Sequence, residues 1–156
     1  MFANELHLLS QISIERCFRP DSFPLIDSTI TLLVFSDASL AAFGAVAYLR
    51  TSCDDRDHLS FVMAKGRIAP TSILTIPRLE LQATVLAVRL AQTIKKELRI
   101  RISSIEYYFD YRIVLHQLQS SHLERPIFIK NRINEILRHS SPEEWFFVPS
   151  DRRQSG

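Results

Sequence analysis

The chain has 156 residues, 46% of them apolar and 23% charged, with a formal net charge of +2. That length suits one domain with a sizeable core, and the composition is neither disordered nor fibrous. The slight basicity allows a polyanionic partner without arguing for one.

No run reaches the ~20 apolar residues of a membrane span, so no membrane partner is expected. Asn4, Glu5 and His7 interrupt the apolar stretch that a signal peptide needs. Cys17 and Cys53 lack CxxC or Cys/His ligand spacing and read as free thiols of a reducing compartment. An intracellular place, cytoplasmic or nuclear, is therefore expected, and secretion is not.

Residues 5–14 can form a short amphipathic helix with Leu6, Leu9 and Ile12 near one face. Pro20, Asp21, Ser22, Pro24 and Asp27 then break the chain. Residues 1–28 read as a lead-in or linker, 29–151 as the domain, and 152–156 as a tail. Apolar runs at 31–35, 43–49 and 58–64, joined by short polar turns, predict a three-stranded antiparallel meander.

Pro77 stands where a helix starts, with Thr75 as its candidate cap, and no Gly or Pro follows until beyond residue 98. Leu79, Ala83, Leu86, Ala87, Leu90 and Ile94 share one face of that helix. Lys95, Lys96 and Arg99 lie at its end, where cations suit the helix dipole. A strand at 104–109, a helix at 112–119, a helix at 127–139 and a strand at 144–148 follow. In the second of these helices Ile129, Ile133, Ile136 and Leu137 are expected to face inward. A meander followed by βα alternation predicts an α/β fold, a mixed sheet with helices packed on it.

Asp37 sits where the first strand ends, and Asp110 ends its own strand in the same way. If these strands are parallel neighbours, their acids lie side by side at one sheet edge, in the crevice where ligands are commonly held. Asp110 can equally cap the helix that follows. Glu80 is expected in the first turn of the long helix, at the margin of its core-facing stripe and in line with Ala87 and Ala91. A carboxylate there needs a partner such as a metal. It also suits a helix N-terminus for dipole reasons, and Arg78 or Arg89 could neutralise it. Three converging acids would make a hard-oxygen site suited to Mg2+ or Mn2+. Two such ions stabilise the attacking and leaving oxygens of a phosphodiester displacement.

In this order the residues resemble the ribonuclease H domain of Bel/Pao-type LTR retrotransposon polyproteins. The matching segments are Phe35-Ser36-Asp37-Ala38-Ser39 with the run at 43–49, Ala64-Lys65-Gly66-Arg67-Ile68-Ala69-Pro70, and Thr75-Ile76-Pro77-Arg78-Leu79-Glu80-Leu81. Phe109-Asp110-Tyr111-Arg112-Ile113-Val114-Leu115 and Phe147-Val148-Pro149 follow. Ile12-Ser13-Ile14-Glu15-Arg16-Cys17 looks like the segment that joins such domains to a preceding reverse transcriptase.

The resemblance implies a ribonuclease H-like fold and cleavage of the RNA strand of an RNA–DNA hybrid with two Mg2+ or Mn2+ ions. Asp37, Glu80 and Asp110 would be the catalytic, metal-binding acids, and a reverse transcriptase domain of the same polyprotein is expected upstream. The region also carries the family name Pao retrotransposon peptidase, but no Asp-Thr/Ser-Gly tripeptide of an aspartic protease occurs here.

Two departures stand out. Tyr111 occupies the place where family members usually have Ser. A fourth acid is expected on a final helix beyond Val148-Pro149, in a stretch resembling Asn-Pro-Ala-Asp. This chain has Ser150-Asp151-Arg152-Arg153 and ends at Gly156. Asp151 is the candidate for that place, and the final helix is expected to be missing, as in a fragment or decayed copy of an element. Losing one carboxylate of four would weaken the second metal. A catalytically inactive ribonuclease H-like module, binding nucleic acid or scaffolding a polyprotein, therefore stays open beside the nuclease.

Lys65, Arg67 and Arg78 are candidate phosphate contacts, with Lys95, Lys96, Arg99, Arg101, Lys130 and Arg132 as further basic positions. Trp145, Phe146 and Phe147 are expected in the core, and His116 on a helix surface.

Overall fold

A computed structural model describes residues 28–71, 75–111, 114, 116, 118 and 125–148. The expected lead-in, the tail, Cys17 and Asp151 lie outside the described residues.

Three strands open the fold: β1 (Thr29–Ala38), β2 (Ala42–Cys53) and β3 (Arg56–Ile68). They pair antiparallel in sequence order, as the meander predicted. Each runs several residues past its apolar stretch, because backbone pairing continues where alternation has faded. Ser39 closes the first turn: its Oγ accepts from the Ala41 and Ala42 N–H groups at 3.3 and 3.1 Å. Cys53 pairs with Arg56, so only Asp54 and Asp55 make the second turn. Asp54 there takes φ +52°, a left-handed conformation that Asp tolerates better than most residues. Ala47 pairs with Met63 and Tyr48 with Phe61, so Val62 is an extra residue, a bulge in β3.

The long helix α1 (Ile76–Glu97) follows. Thr75 holds the cap position, but its side chain makes no capping bond; its backbone oxygen accepts from Arg78 and Leu79 at 2.9 and 3.1 Å. Pro77 costs nothing there, since N–H groups of the first turn have no helical partner. All six residues expected to face the core are buried.

Beyond α1 come β4 (Ser104–Phe109), α2 (Ile127–His139), a short 3-10 turn (Pro142–Glu144) and β5 (Trp145–Phe147). Between β4 and α2, positions 114, 116 and 118 have helical backbone; Val114 and Leu118 are buried and His116 is exposed. In α2, Ile133 and Ile136 are buried and Ile129 packs against the core. Leu137 is 39% exposed, against expectation, because it falls one residue beyond the buried stripe.

The sheet order is β3-β2-β1-β4-β5. β4 pairs parallel with β1, and β5 parallel with β4. The core lies between one face of this sheet and α1, with Leu32, Val34, Ala47 and Leu49 opposite Ala83, Leu86, Ala87 and Leu90. α1 also packs against α2, which explains why it is buried beyond a single stripe. Trp145 is buried, stacked on Tyr107 at 4.3 Å, and donates its indole N–H to Ser140 at 2.9 Å. Phe146 turns to the opposite face and is 42% exposed, so the expectation of a core place holds for Trp145 and fails for Phe146. Period-two alternation forces this split. No helix among the described residues is long and apolar enough to cross a membrane.

Candidate metal centre

The parallel register matches Phe35 with Tyr108. Two residues further on, that register sets Asp110 opposite Asp37. Asp37 lies within β1, paired with Gly44, and Asp110 directly follows β4. Both acids therefore project at the carboxyl ends of two parallel strands. Glu80 approaches from α1. It is the fifth residue of that helix, past the first turn, and only 3% exposed. The sequence expectation of a first-turn, marginal position is thus corrected, and the dipole loses force as its explanation. Arg89 forms a two-pronged ion pair with Glu135, at 2.6 and 3.0 Å, and Arg78 lies over the Phe128 ring at 5.1 Å.

One carboxylate oxygen from each of Asp37, Glu80 and Asp110 falls within 4.8 Å of the others. Three acids this close repel one another unless protons or cations intervene. Asp37 is oriented by its neighbour, the Ala38 N–H donating to Asp37 Oδ1 at 2.8 Å. Asp110 Oδ1 is buried and accepts no hydrogen bond. A buried carboxylate oxygen without a donor is costly, and a cation is a partner that would satisfy it. The donor set is all carboxylate oxygen, as Mg2+ and Mn2+ prefer. On both counts these residues fit a divalent metal.

Asp37 and Asp110 open into a groove of about 720 Å³ on the face of the sheet away from α1. Phe35 and Tyr108 form part of its wall; Gly44 and Gly66, paired across β2 and β3, form part of its floor. A Cβ on Gly44 would lie 3.2 Å from the Lys65 carbonyl oxygen, so any larger residue there makes the β3 backbone give by a few tenths of an ångström. Lys65 lines the groove, whereas Arg67 and Arg78 do not. Tyr111 is half-buried against the core cluster and does not line the groove. Sequence reasoning missed the groove walls. Phe35 and Tyr108 each read as ordinary strand residues, and only the β1–β4 register brings them together.

A five-stranded mixed sheet of this order with helices packed on it is a ribonuclease H-like fold. The N-terminal RNase H domain of a Mycobacterium tuberculosis protein shares it at 11% identity, TM-score 0.50, covering 80% of this chain and 86% of that one. RNase H1 from Halobacterium salinarum aligns at 14% identity, TM-score 0.47, over 78% and 86% of the two chains. LC11-RNase H1, solved with an RNA/DNA hybrid, aligns at 13% identity, TM-score 0.48, over 80% and 86%. No curated protein matches the chain. The family described as Pao retrotransposon-like RNaseH-like domain matches residues 1–111, and the chain belongs to that family.

Proposed function

We propose that the domain is a metal-dependent endoribonuclease that cuts the RNA strand of an RNA–DNA hybrid, with Asp37, Glu80 and Asp110 as its metal-holding acids. The observation that carries this reading is the convergence of three carboxylates within 4.8 Å from β1, α1 and the end of β4. Each comes from a different element, so an ordinary surface cluster of neighbouring acids does not account for them.

Two Mg2+ or Mn2+ ions, when bound, would activate a water and neutralise charge on the leaving 3′ oxygen. The protein's own groups set the stage for that chemistry. Asp37 is pre-oriented by the Ala38 N–H, and Glu80 is held by the burial of α1. Pre-orientation matters because a ligand already in place needs no ordering when the reaction begins. Lys65 meets phosphate oxygens of the strand lying in the groove, while Arg67 and Arg78 contact backbone further out. Asp151 supplies a fourth acid. It stands three residues beyond Val148, which lines the groove and donates its N–H to the Phe109 carbonyl at 2.9 Å. An upstream reverse transcriptase domain of the same polyprotein would deliver the hybrid.

The test is incubation of the chain with a labelled RNA–DNA hybrid and Mg2+, beside the Asp37→Asn variant. RNA-strand cleavage by the wild type, reduced about 100-fold or more in the variant, is expected. Absence of variant-sensitive cleavage would overturn the nuclease. Retained hybrid binding in low salt would then favour an inactive nucleic-acid-binding module.

A further inference from the structure

Two of the buried residues of α1 are polar: Glu80 and Thr84, 3% and 1% exposed. They stand four apart, so they lie one above the other on the same side of the helix. Helical side chains lean towards the N-terminus, which sets Thr84 over the turn that carries Glu80. A buried hydroxyl costs free energy unless it is hydrogen-bonded. An apolar residue of the same shape, such as Val, would fill the place without that demand.

Thr84 meets the demand locally. Its Oγ1 donates to the Glu80 carbonyl oxygen at 2.8 Å. In the helical ladder that carbonyl is also the acceptor for the Thr84 N–H, so one oxygen serves two donors of one residue. Back-bonding of this kind opens the ladder on one side and bends helices. Two other hydroxyls bond back by four residues, in different settings. The Thr93 bond to Arg89, at 2.9 Å, is exposed, and Ser140 bonds to Ile136, at 2.8 Å, from the cap position of α2. Among the described residues, only the Thr84 bond is buried in the body of a helix, and its acceptor is the backbone of an acid of the metal centre.

We propose that Thr84 is a positioning residue for Glu80. Its hydroxyl holds the Glu80 carbonyl, fixes the tilt of the opening turns of α1, and so sets where the Glu80 carboxylate stands against Asp37 and Asp110. The inference rests on the reading of these acids as metal-holding. Asp37 and Asp110 are tied to each other through the pairing of β1 with β4, whereas Glu80 reaches them from the helix layer. It is therefore the ligand whose place a small tilt changes. A tilt of roughly 10° over one helical turn of about 5.4 Å moves a side chain by about 1 Å, several times the ~0.2 Å within which metal–oxygen distances are held. Thr84 acts through the backbone, since its hydroxyl is given to the carbonyl and not to the carboxylate.

The experiment compares the full chain with Thr84→Val, which keeps the shape and removes the hydroxyl, and Thr84→Ser, which keeps the hydroxyl. Mn2+ affinity is measured by titration calorimetry, and stability by thermal melts in metal-free buffer. Thr84→Val should bind Mn2+ about tenfold more weakly, as partners that orient metal ligands do when lost. Thr84→Ser should restore the wild-type affinity, and the metal-free midpoint of Thr84→Val should stay near that of the wild type. Wild-type affinity in Thr84→Val, or a weakened affinity that Thr84→Ser fails to restore, would overturn the inference and leave the metal reading standing. A metal-free midpoint that falls in step with the affinity would make Thr84 a packing residue and overturn it as well. No Mn2+ binding by the wild type would overturn the metal reading itself, and the inference with it.

Discussion

Glu80 is the residue whose environment most distinguishes a metal ligand from an ordinary acid. It is 3% exposed, with Asp37 and Asp110 oxygens within 4.8 Å. Like charges at that separation cost stability until a cation joins them. Glu80→Gln should therefore melt at or above the wild-type temperature in metal-free buffer. Mg2+ should raise the wild-type midpoint and leave the variant's nearly unchanged, because only a native state that binds the ion is stabilised by it. Thermal melts with and without Mg2+ check both signs. Gly44→Val makes a different test: its side chain would press on the Lys65 carbonyl and force β2 from β3 beneath the groove. A loss of about 1–3 kcal/mol in urea unfolding is expected. The acids themselves were legible in the sequence, since two of them end apolar runs. The environment of Glu80 was not, because the helix starts one residue before Pro77 and its burial comes from the sheet.

At the scale of elements, α1 organises the core. Leu90 is fully buried in this helix, and Leu90→Ala should cost about 2–5 kcal/mol in denaturant unfolding. On the outer side of α1, Arg89 clamps Glu135 of α2, and the hydrogen bond from Arg89 holds the Glu135 carboxyl below its ordinary range. A lowered folded value means the pair stabilises above the unfolded carboxylate value, near 4.3, and fades as pH falls through the folded one. With Arg89 largely exposed, the contribution is at most about 1 kcal/mol. Glu135→Gln should be less stable than wild type by that order at pH 7, and the difference should close at acid pH. Urea melts across that range measure it. Strand existence and order of elements were readable from periodicity and punctuation. Strand ends were not, since pairing carried β1 to Ala38 and β3 to Ile68 beyond the alternating runs.

Across the whole molecule, Asp37 and Asp110 open towards the sheet face that also carries an aromatic row of Phe61, Tyr48, Phe35, Tyr108 and Phe146, and Phe35 and Tyr108 line the groove there. Neither the acids nor the row is local in sequence. Residues 37, 80 and 110 meet only because β4 adds parallel to β1 and α1 crosses behind them. The acids could be named in advance by their order and by resemblance, whereas the aromatic row could not. Its five members come one from each strand, and none stands out in its own segment. The claim on which the functional account rests is that the three acids hold a divalent cation. Titration calorimetry of Mn2+ into the metal-free chain, beside Asp37→Asn and Asp110→Asn, tests it most directly. Saturable binding by the wild type, lost or weakened at least tenfold in both variants, about 1.4 kcal/mol or more, is the predicted result. No binding by the wild type, or equal binding by all three proteins, would contradict it.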